Sequence, residues 1–399
     1  MKHCVIILDG ASGWPLAGLG GKTTLAAART PHLDALAREG TAGLAANVPD
    51  GEEPSSSTAC TSILGYDPVA NRVGRGAIEA ASMGVTLAPD EVALRMNLVH
   101  VDGGLMRSYA CGRISTEESR AIVGELSAAL ATPTFSFHPG VAYRHILVVH
   151  GHPELLDAAY RPPHDITDTP IAPHLPRGPG AAVLLALMER AREVLRRSPV
   201  NARRVERGRL PATDIWPFWP GKAPTGMIPF REARGLRGAM TSGVDLLNGL
   251  AVLAGLTRLQ VAGVTDGPDN DYAGQAEAAL AALADHDVAI VHVESPDEAG
   301  HAGDAEGKVA AIEAIDREVV SRVRAAAARF ERDGGLRILA TPDHPTPVAL
   351  KTHVREPVPF VLAGPGIARN GAVRYDEEAA GATGLLLDPG RLLMDRLLG

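Results

Sequence analysis

Two short segments near the C-terminus hold residue types that could do chemistry. SPDEAGH places Asp297 and His301 four residues apart, and TPDHPTPVALKTH places Asp343, His344 and His353. With Asp9, which ends the apolar run CVIIL, they form the carboxylate and imidazole shell expected of a two-metal site. Two divalent cations about 4 Å apart can clamp a phosphoryl group from its attacking and leaving sides, and oxygen-plus-imidazole shells suit Mn, Zn or Mg. If 295–302 is helical, Asp297 and His301 lie on one face, and Pro296 suits the first turn. Asp343 and His344 are adjacent, so their side chains should diverge and touch two metals or two sides of one.

Stepping outward, the apolar runs 3–9, 258–263, 288–294, 336–340 and 358–363 alternate with helical patterns such as 305–330. This alternation predicts an α/β fold with a parallel sheet covered by helices. The candidate ligands fall where the first, third and fourth of these strands end, and ligands of open α/β sheets bind beyond the carboxyl ends of the strands. The middle of the chain has a different texture. It carries scattered arginines, alternating pieces such as ALRMNLVHV and YRHILVVHG, one helix near 180–197 and the Pro- and Trp-rich DIWPFWPGKAP. It reads as an inserted domain at 77–227, splitting the metal-binding domain into 1–76 and 228–399.

The 399 residues, 45% of them hydrophobic, can bury a large core. A net charge of −8 gives no general attraction to nucleic acid or anionic lipid, so phosphate recognition has to be local. The first strand begins too early for a signal peptide and no apolar run reaches membrane-spanning length, which predicts a cytoplasmic protein. Cys4, Cys60 and Cys111 form no CxxC pair and read as small buried residues. AGLGGKTTL looks like a phosphate loop, but position 16 is Leu where the first glycine is required. The stretch EEPSSSTACTSILGYDP runs a serine cluster directly into a helical pattern, offering a hydroxyl nucleophile at a helix N-terminus, or simply an N-cap.

The succession VIILDG, GGKTTLAAARTPHLDALAREG, SILGYDP, GRGAIEAASMG, YRHILVV, PPHDI, HLPRG, SPDEAGHAGDAEGK and TPDHPTPVALKTH resembles the archaeal-type branch of the cofactor-independent phosphoglycerate mutases, within the alkaline phosphatase superfamily. The resemblance spans essentially the whole chain. It implies an alkaline-phosphatase-like, mostly parallel sheet flanked by helices, with an inserted smaller α+β domain. It also implies two divalent metal ions, Mn or alternatively Zn or Mg, and no 2,3-bisphosphoglycerate. Asp297, His301 and His353 correspond to the ligands of one metal. Asp9, Asp343, His344 and the nucleophilic serine correspond to those of the other, and counting back from Leu64 places that serine at Ser56. The implied reaction interconverts 3- and 2-phosphoglycerate through a phosphoserine, with the small phosphorylated acid held by Arg95, Arg113, Arg144 and His164 of the inserted domain.

Two segments depart from the family pattern. Ser55-Ser56-Ser57 stands where the family usually reads Gly-Ser-Asp, and Gln275 stands where it has Lys, removing a cation expected near the transferred phosphate. Other activities on this scaffold are a phosphatase, which would release free phosphate, an ATP-using kinase such as one acting on homoserine, and a non-catalytic metal- or metabolite-binding relative. Clustered buried carboxylates are costly without compensating cations, which argues against the last of these.

Overall fold

The computed structural model describes residues 1–224 and 226–399. It forms two compact units, one of Met1–Arg72 with Gly226–Gly399 and one of Val73–Thr225. The second unit takes in the helix Arg75–Ser82, which a boundary at residue 77 would cut.

The first unit is built on an eight-stranded sheet of β1 (Lys2–Leu8), β2 (Thr41–Ala45), β3 (Gly238–Thr241), β4 (Thr257–Arg258), β5 (Val288–Val293), β6 (Leu336–Thr341), β7 (Val358–Ala363) and β8 (Leu386–Leu387). Their spatial order is β8-β2-β7-β6-β1-β5-β3-β4. Only β7 runs antiparallel to its neighbours, β6 and β2. β1 lies between β5 and β6, parallel to both. The residues Cys4–Leu8 and Val288–Val293 are buried throughout, as expected of strands covered on both faces. Helices Pro31–Glu39, Tyr272–Ala282 and Ala305–Ala314 contribute to the core around β1, β5 and β6.

The run 258–263 differs from its prediction. Only Thr257 and Arg258 are in register with the sheet, Leu259 gives its N–H to the Met240 carbonyl at 2.8 Å, and the chain then turns at the exposed edge, with Gly263 at φ +77°. The strand that pairs with β5 on the side away from β1 is instead the short GAMT of β3, whose length and composition give little periodic signal.

The second unit is antiparallel. Strand Glu91–Asp102 pairs with Arg144–His150, with Leu105–Ser108 and with Asp214–Lys222, and Phe135–His138 pairs with Arg144–His150. Helices Thr116–Leu130 and Ala181–Arg196 pack together over one hydrophobic cluster, and Arg75–Ser82 packs against Glu91–Asp102 and Asp214–Lys222. The Pro- and Trp-rich stretch is therefore a strand. It tolerates Pro217 and Pro220 because it pairs on one side only, and Trp219 is the extra residue of a bulge, at φ +49°. Gly76 permits close helix packing, because a Cβ there would lie 2.3 Å from the Ala93 carbonyl oxygen. The three cysteines are buried and unbridged. Among the described residues, no helix is long and apolar enough to cross a membrane.

His145 of this unit is 1% exposed, and its Nδ1 accepts the Gly140 N–H at 3.1 Å. Burial, aided by the Arg120 charge, pushes its pKa down to about 3. An unfolded chain therefore binds a proton between about pH 6.5 and 3 that the folded chain does not, so His145 lowers stability as pH falls through that window. The thermal midpoint of His145→Gln should fall less steeply between pH 6.5 and 4 than that of the wild type, and equal slopes would contradict this.

Candidate metal centre

The carboxylate and imidazole candidates all follow the carboxyl ends of β1, β5 and β6. Asp9 directly follows β1 and is fully buried. Its Oδ2 lies 2.7 Å from His292 Nε2 and its Oδ1 lies 3.6 Å from His344 Nε2. Gly10 turns the chain at φ +60° and donates its N–H to Asp343 Oδ1 at 3.0 Å. A Cβ at this position would stand 2.4 Å from Asp297 Oδ1, so the turn requires glycine on both counts.

The helix Ser295–Ala302 carries Pro296 in its first turn. His301 Nε2 lies 3.1 Å from Asp297 Oδ2, and His353 Nε2 lies 3.4 Å from Asp297 Oδ1. Asp343 and His344 do not diverge as their adjacency suggested. The loop after β6 is held by Asn47 Nδ2, which donates to the Asp343 carbonyl at 3.0 Å, and the His344 ring turns back until Nε2 is 3.2 Å from Asp343 Oδ2. Consequently His344 shares one donor cluster with Asp297 and His353 and another with Asp9 and Asp343. Ser56 opens the helix Ser56–Ile63, is 8% exposed, and presents Oγ 3.2 Å from His344 Nε2. Its neighbour Ser55 caps that helix, accepting the Thr58 N–H at 3.3 Å.

The imidazole tautomers test whether cations fit here. A carbonyl oxygen only accepts, so His301 Nδ1, 3.0 Å from the Lys351 carbonyl, and His353 Nδ1, 3.1 Å from the Pro54 carbonyl, must both carry hydrogen. Thr346 Oγ1 donates its one hydrogen to Asp297 Oδ1 and can therefore only accept from His344 Nδ1, 3.3 Å away. In neutral rings, all three Nε2 lone pairs then face the carboxylates, and those of His301 and His353 face each other at 2.8 Å. Lone pairs at that distance repel unless a proton or a cation lies among them, and oriented imidazoles with carbonyl partners are the usual support of a metal shell. The donor set fits divalent cations.

Without a cation, protons shared between the imidazoles and Asp297 take that place. Burial, then the Asp343 and Asp297 charges, hold the Asp9 pKa well above the carboxylate range. Burial opposes ionisation of Asp297, yet hydrogen bonds from His301 and His353 hold its pKa low. His301 is raised to about 9, first by its hydrogen bond to Asp297.

Several residues of the site were not legible in advance. His292 interrupts the apolar run of β5 at a fully buried position, and a polar residue inside a strand covered on both faces was the available signal. Glu294 also joins Asp9 and His292 in a third donor cluster. The Lys308 ammonium is fully buried and donates to the Ser12 and Thr346 carbonyls at 3.0 and 2.7 Å, tying the loop after β1 to the loop after β6. Gln275 is 1% exposed. It donates to the His292 carbonyl at 2.9 Å and to Thr241 Oγ1 at 3.4 Å, and accepts from Asn270 at 2.8 Å.

In the second unit, Arg113, Arg144 and His164 are exposed. The His164 ring sits 5.7 Å from that of Trp219. Arg95 differs from them. Its side chain is 9% exposed and its Nη1 is paired with Glu79 at 3.0 Å, so much of its charge is already compensated.

The family profile described as 2,3-bisphosphoglycerate-independent phosphoglycerate mutase matches residues 37–201. A probable 2,3-bisphosphoglycerate-independent phosphoglycerate mutase of Geobacter sulfurreducens is 47% identical over 403 residues, covering 100% of both chains. The 2,3-bisphosphoglycerate-independent phosphoglycerate mutase of Methanothrix thermoacetophila is 44% identical over 399 residues, again covering 100% of both. The solved structure of the cofactor-independent phosphoglycerate mutase from Thermoplasma acidophilum covers 100% of this chain and 99% of its own, at 29% identity and a TM-score of 0.71. With identity of this extent over its full length, the chain belongs to the 2,3-bisphosphoglycerate-independent phosphoglycerate mutase family.

Proposed function

We propose that this protein interconverts 3-phosphoglycerate and 2-phosphoglycerate without 2,3-bisphosphoglycerate, with Ser56 as the transient phosphate carrier. Asp297, His301 and His353 would hold one divalent cation, and Asp9, Asp343, His344 and Ser56 the other, with Mn the ion we favour over Zn or Mg. When bound, such cations supply Lewis-acid stabilisation of the phosphoryl oxygens and favour the ionised serine hydroxyl. The observation that carries the reading is the convergence of three Nε2 lone pairs on buried carboxylates beside a serine hydroxyl at a helix N-terminus.

Ser56 Oγ bonds to phosphorus as the bond to the substrate C3 oxygen breaks, and the proton lost by the serine ends on that oxygen. Attack by the C2 hydroxyl then returns the phosphoryl group and restores the serine. The amides of the first turn of Ser56–Ile63 favour the anion. Arg113, Arg144 and His164 hold the acid, Arg forks suiting carboxylate and phosphate, while Arg95, paired with Glu79, serves more to set their surroundings.

Ser56→Ala should lower turnover by at least ~10³-fold with the fold intact. Ser55→Ala should cost mainly helix capping, about 1 kcal/mol. Mass spectrometry after substrate trapping should find phosphate on Ser56, and phosphate reproducibly on Ser57 or Thr58 would move the nucleophile. Free phosphate as the main product would indicate a phosphatase, and a requirement for ATP a kinase.

Chelation should abolish turnover and lower the thermal midpoint, because cations bound only by the folded state stabilise it by mass action, and Mn should restore both. Full activity in the chelated protein would refute the two-cation reading.

Gln275→Lys should restore a family residue yet destabilise this chain. Lysine cannot accept from Asn270 Nδ2, and an unsatisfied buried donor costs about 1–3 kcal/mol. An unchanged thermal midpoint would show that Asn270 finds another acceptor.

A further inference from the structure

Lys308 lies on the helix Ala305–Ala314, is 0% exposed, and among the described residues its ammonium pairs with no carboxylate. A buried charge without a counter-ion is costly, so it persists where its position does something a neutral side chain would not. Both of its acceptors are backbone carbonyls close to candidate ligands in the chain. Ser12 lies three residues after Asp9, and Thr346 two after His344.

Ser12 is held from its other side as well. Its hydroxyl donates to Glu377 Oε1 at 2.9 Å, and the Gly13 N–H donates to the same oxygen at 3.2 Å. Thr23 Oγ1 donates to Glu377 Oε2 at 2.6 Å, and the Thr346 N–H reaches the Ser12 carbonyl at 3.1 Å. Thr346 then passes the constraint on, donating to Asp297 and accepting from His344. One ammonium and one carboxylate therefore fix a single residue of the loop after β1 against the loop after β6. Neither Lys308 nor Glu377 forms a hydrogen bond or ion pair with a candidate ligand.

We propose that Lys308 and Glu377 are positioning residues that clamp Ser12 and so preset the spacing of Asp9 from His344 for cation binding. The inference rests on the two-cation reading and extends it to residues outside the ligand set. Charge alone predicts the opposite sign for the lysine. Removing a positive charge from beside two cation sites would tighten binding by Coulomb's law, whereas removing a clamp loosens it.

Equilibrium dialysis of the chelator-stripped full chain against Mn, with circular dichroism to establish that each protein is folded, tests it. The wild type should bind two equivalents. Lys308→Met, which keeps an unbranched chain and loses both donors, should bind them about 10–100-fold more weakly, the usual effect of removing support around metal ligands. Unchanged or tighter binding overturns the clamp and leaves the two-cation reading standing. Should Lys308→Met fail to fold, Glu377 decides the matter. Glu377→Gln keeps an acceptor for Ser12 and Gly13 and should retain wild-type affinity, whereas Glu377→Met should lose about tenfold or more. Equal affinities in these two variants overturn the proposal, because a hydrogen-bonding clamp has to distinguish them. Fewer than two equivalents in the wild type remove the two-cation reading and the clamp together.

Discussion

The structure of the first unit depends on enclosing like charges. Asp9, Asp297 and Asp343 are each 3% exposed or less, Glu294 is 9% exposed, and all follow the ends of three adjacent parallel strands. Two carboxylates about 4 Å apart repel by roughly 4 kcal/mol at an effective dielectric near 20, and burial adds its own penalty. A chain keeps such a cluster only where something of opposite charge answers it. The buried Lys308 ammonium is spent on two backbone carbonyls, and burial lowers its pKa to about 8.

The bracing around the carboxylates follows from this constraint. The Gly10 turn brings the backbone against Asp297 and gives its N–H to Asp343. Thr346 bonds Asp297 and forces the His344 tautomer, while the carbonyls of Lys351 and Pro54 force those of His301 and His353. None of these groups need touch a substrate. They orient lone pairs before a cation arrives, so binding has little reorganisation to perform.

The parts of this arrangement legible in sequence are those carried by local pattern. Strands buried on both faces read as continuous apolar runs, and Pro296 with Asp297 and His301 reads as a helix start with one functional face. Features set by tertiary contact were not legible. The Asp343-His344 pair was expected to diverge, and converges because Asn47 and Thr346, distant or unremarked in sequence, hold the loop and the ring. DIWPFWP has the composition of a loop and becomes a strand because it pairs on one side only, an edge position that tolerates residues without an N–H. Arg95 looks like Arg144 in sequence, and only packing shows that Glu79 compensates one and not the other. The segment at 258–263 has strand composition but lies at the sheet edge, where too little burial rewards pairing.

The serine cluster shows how a departure from a family pattern can be absorbed locally. Ser55 stands where the family's glycine is usual, and its hydroxyl is engaged with the Thr58 N–H, Ser57 Oγ and Thr58 Oγ1. Thr58 also accepts from or donates to that hydroxyl, and Thr61 bonds the Ser57 carbonyl, so the first turn is fixed by its own side chains. An extended residue at Ser55, φ −151°, needs no glycine, so the substitution carries no backbone strain. The consequence is a separation of tasks among three identical side chains. Ser55 and Ser57 are committed to holding the turn, and Ser56 is the hydroxyl directed at His344. The proposed role of Ser56 therefore rests on which neighbours are already occupied, a property of the folded turn that three consecutive serines cannot reveal in the sequence.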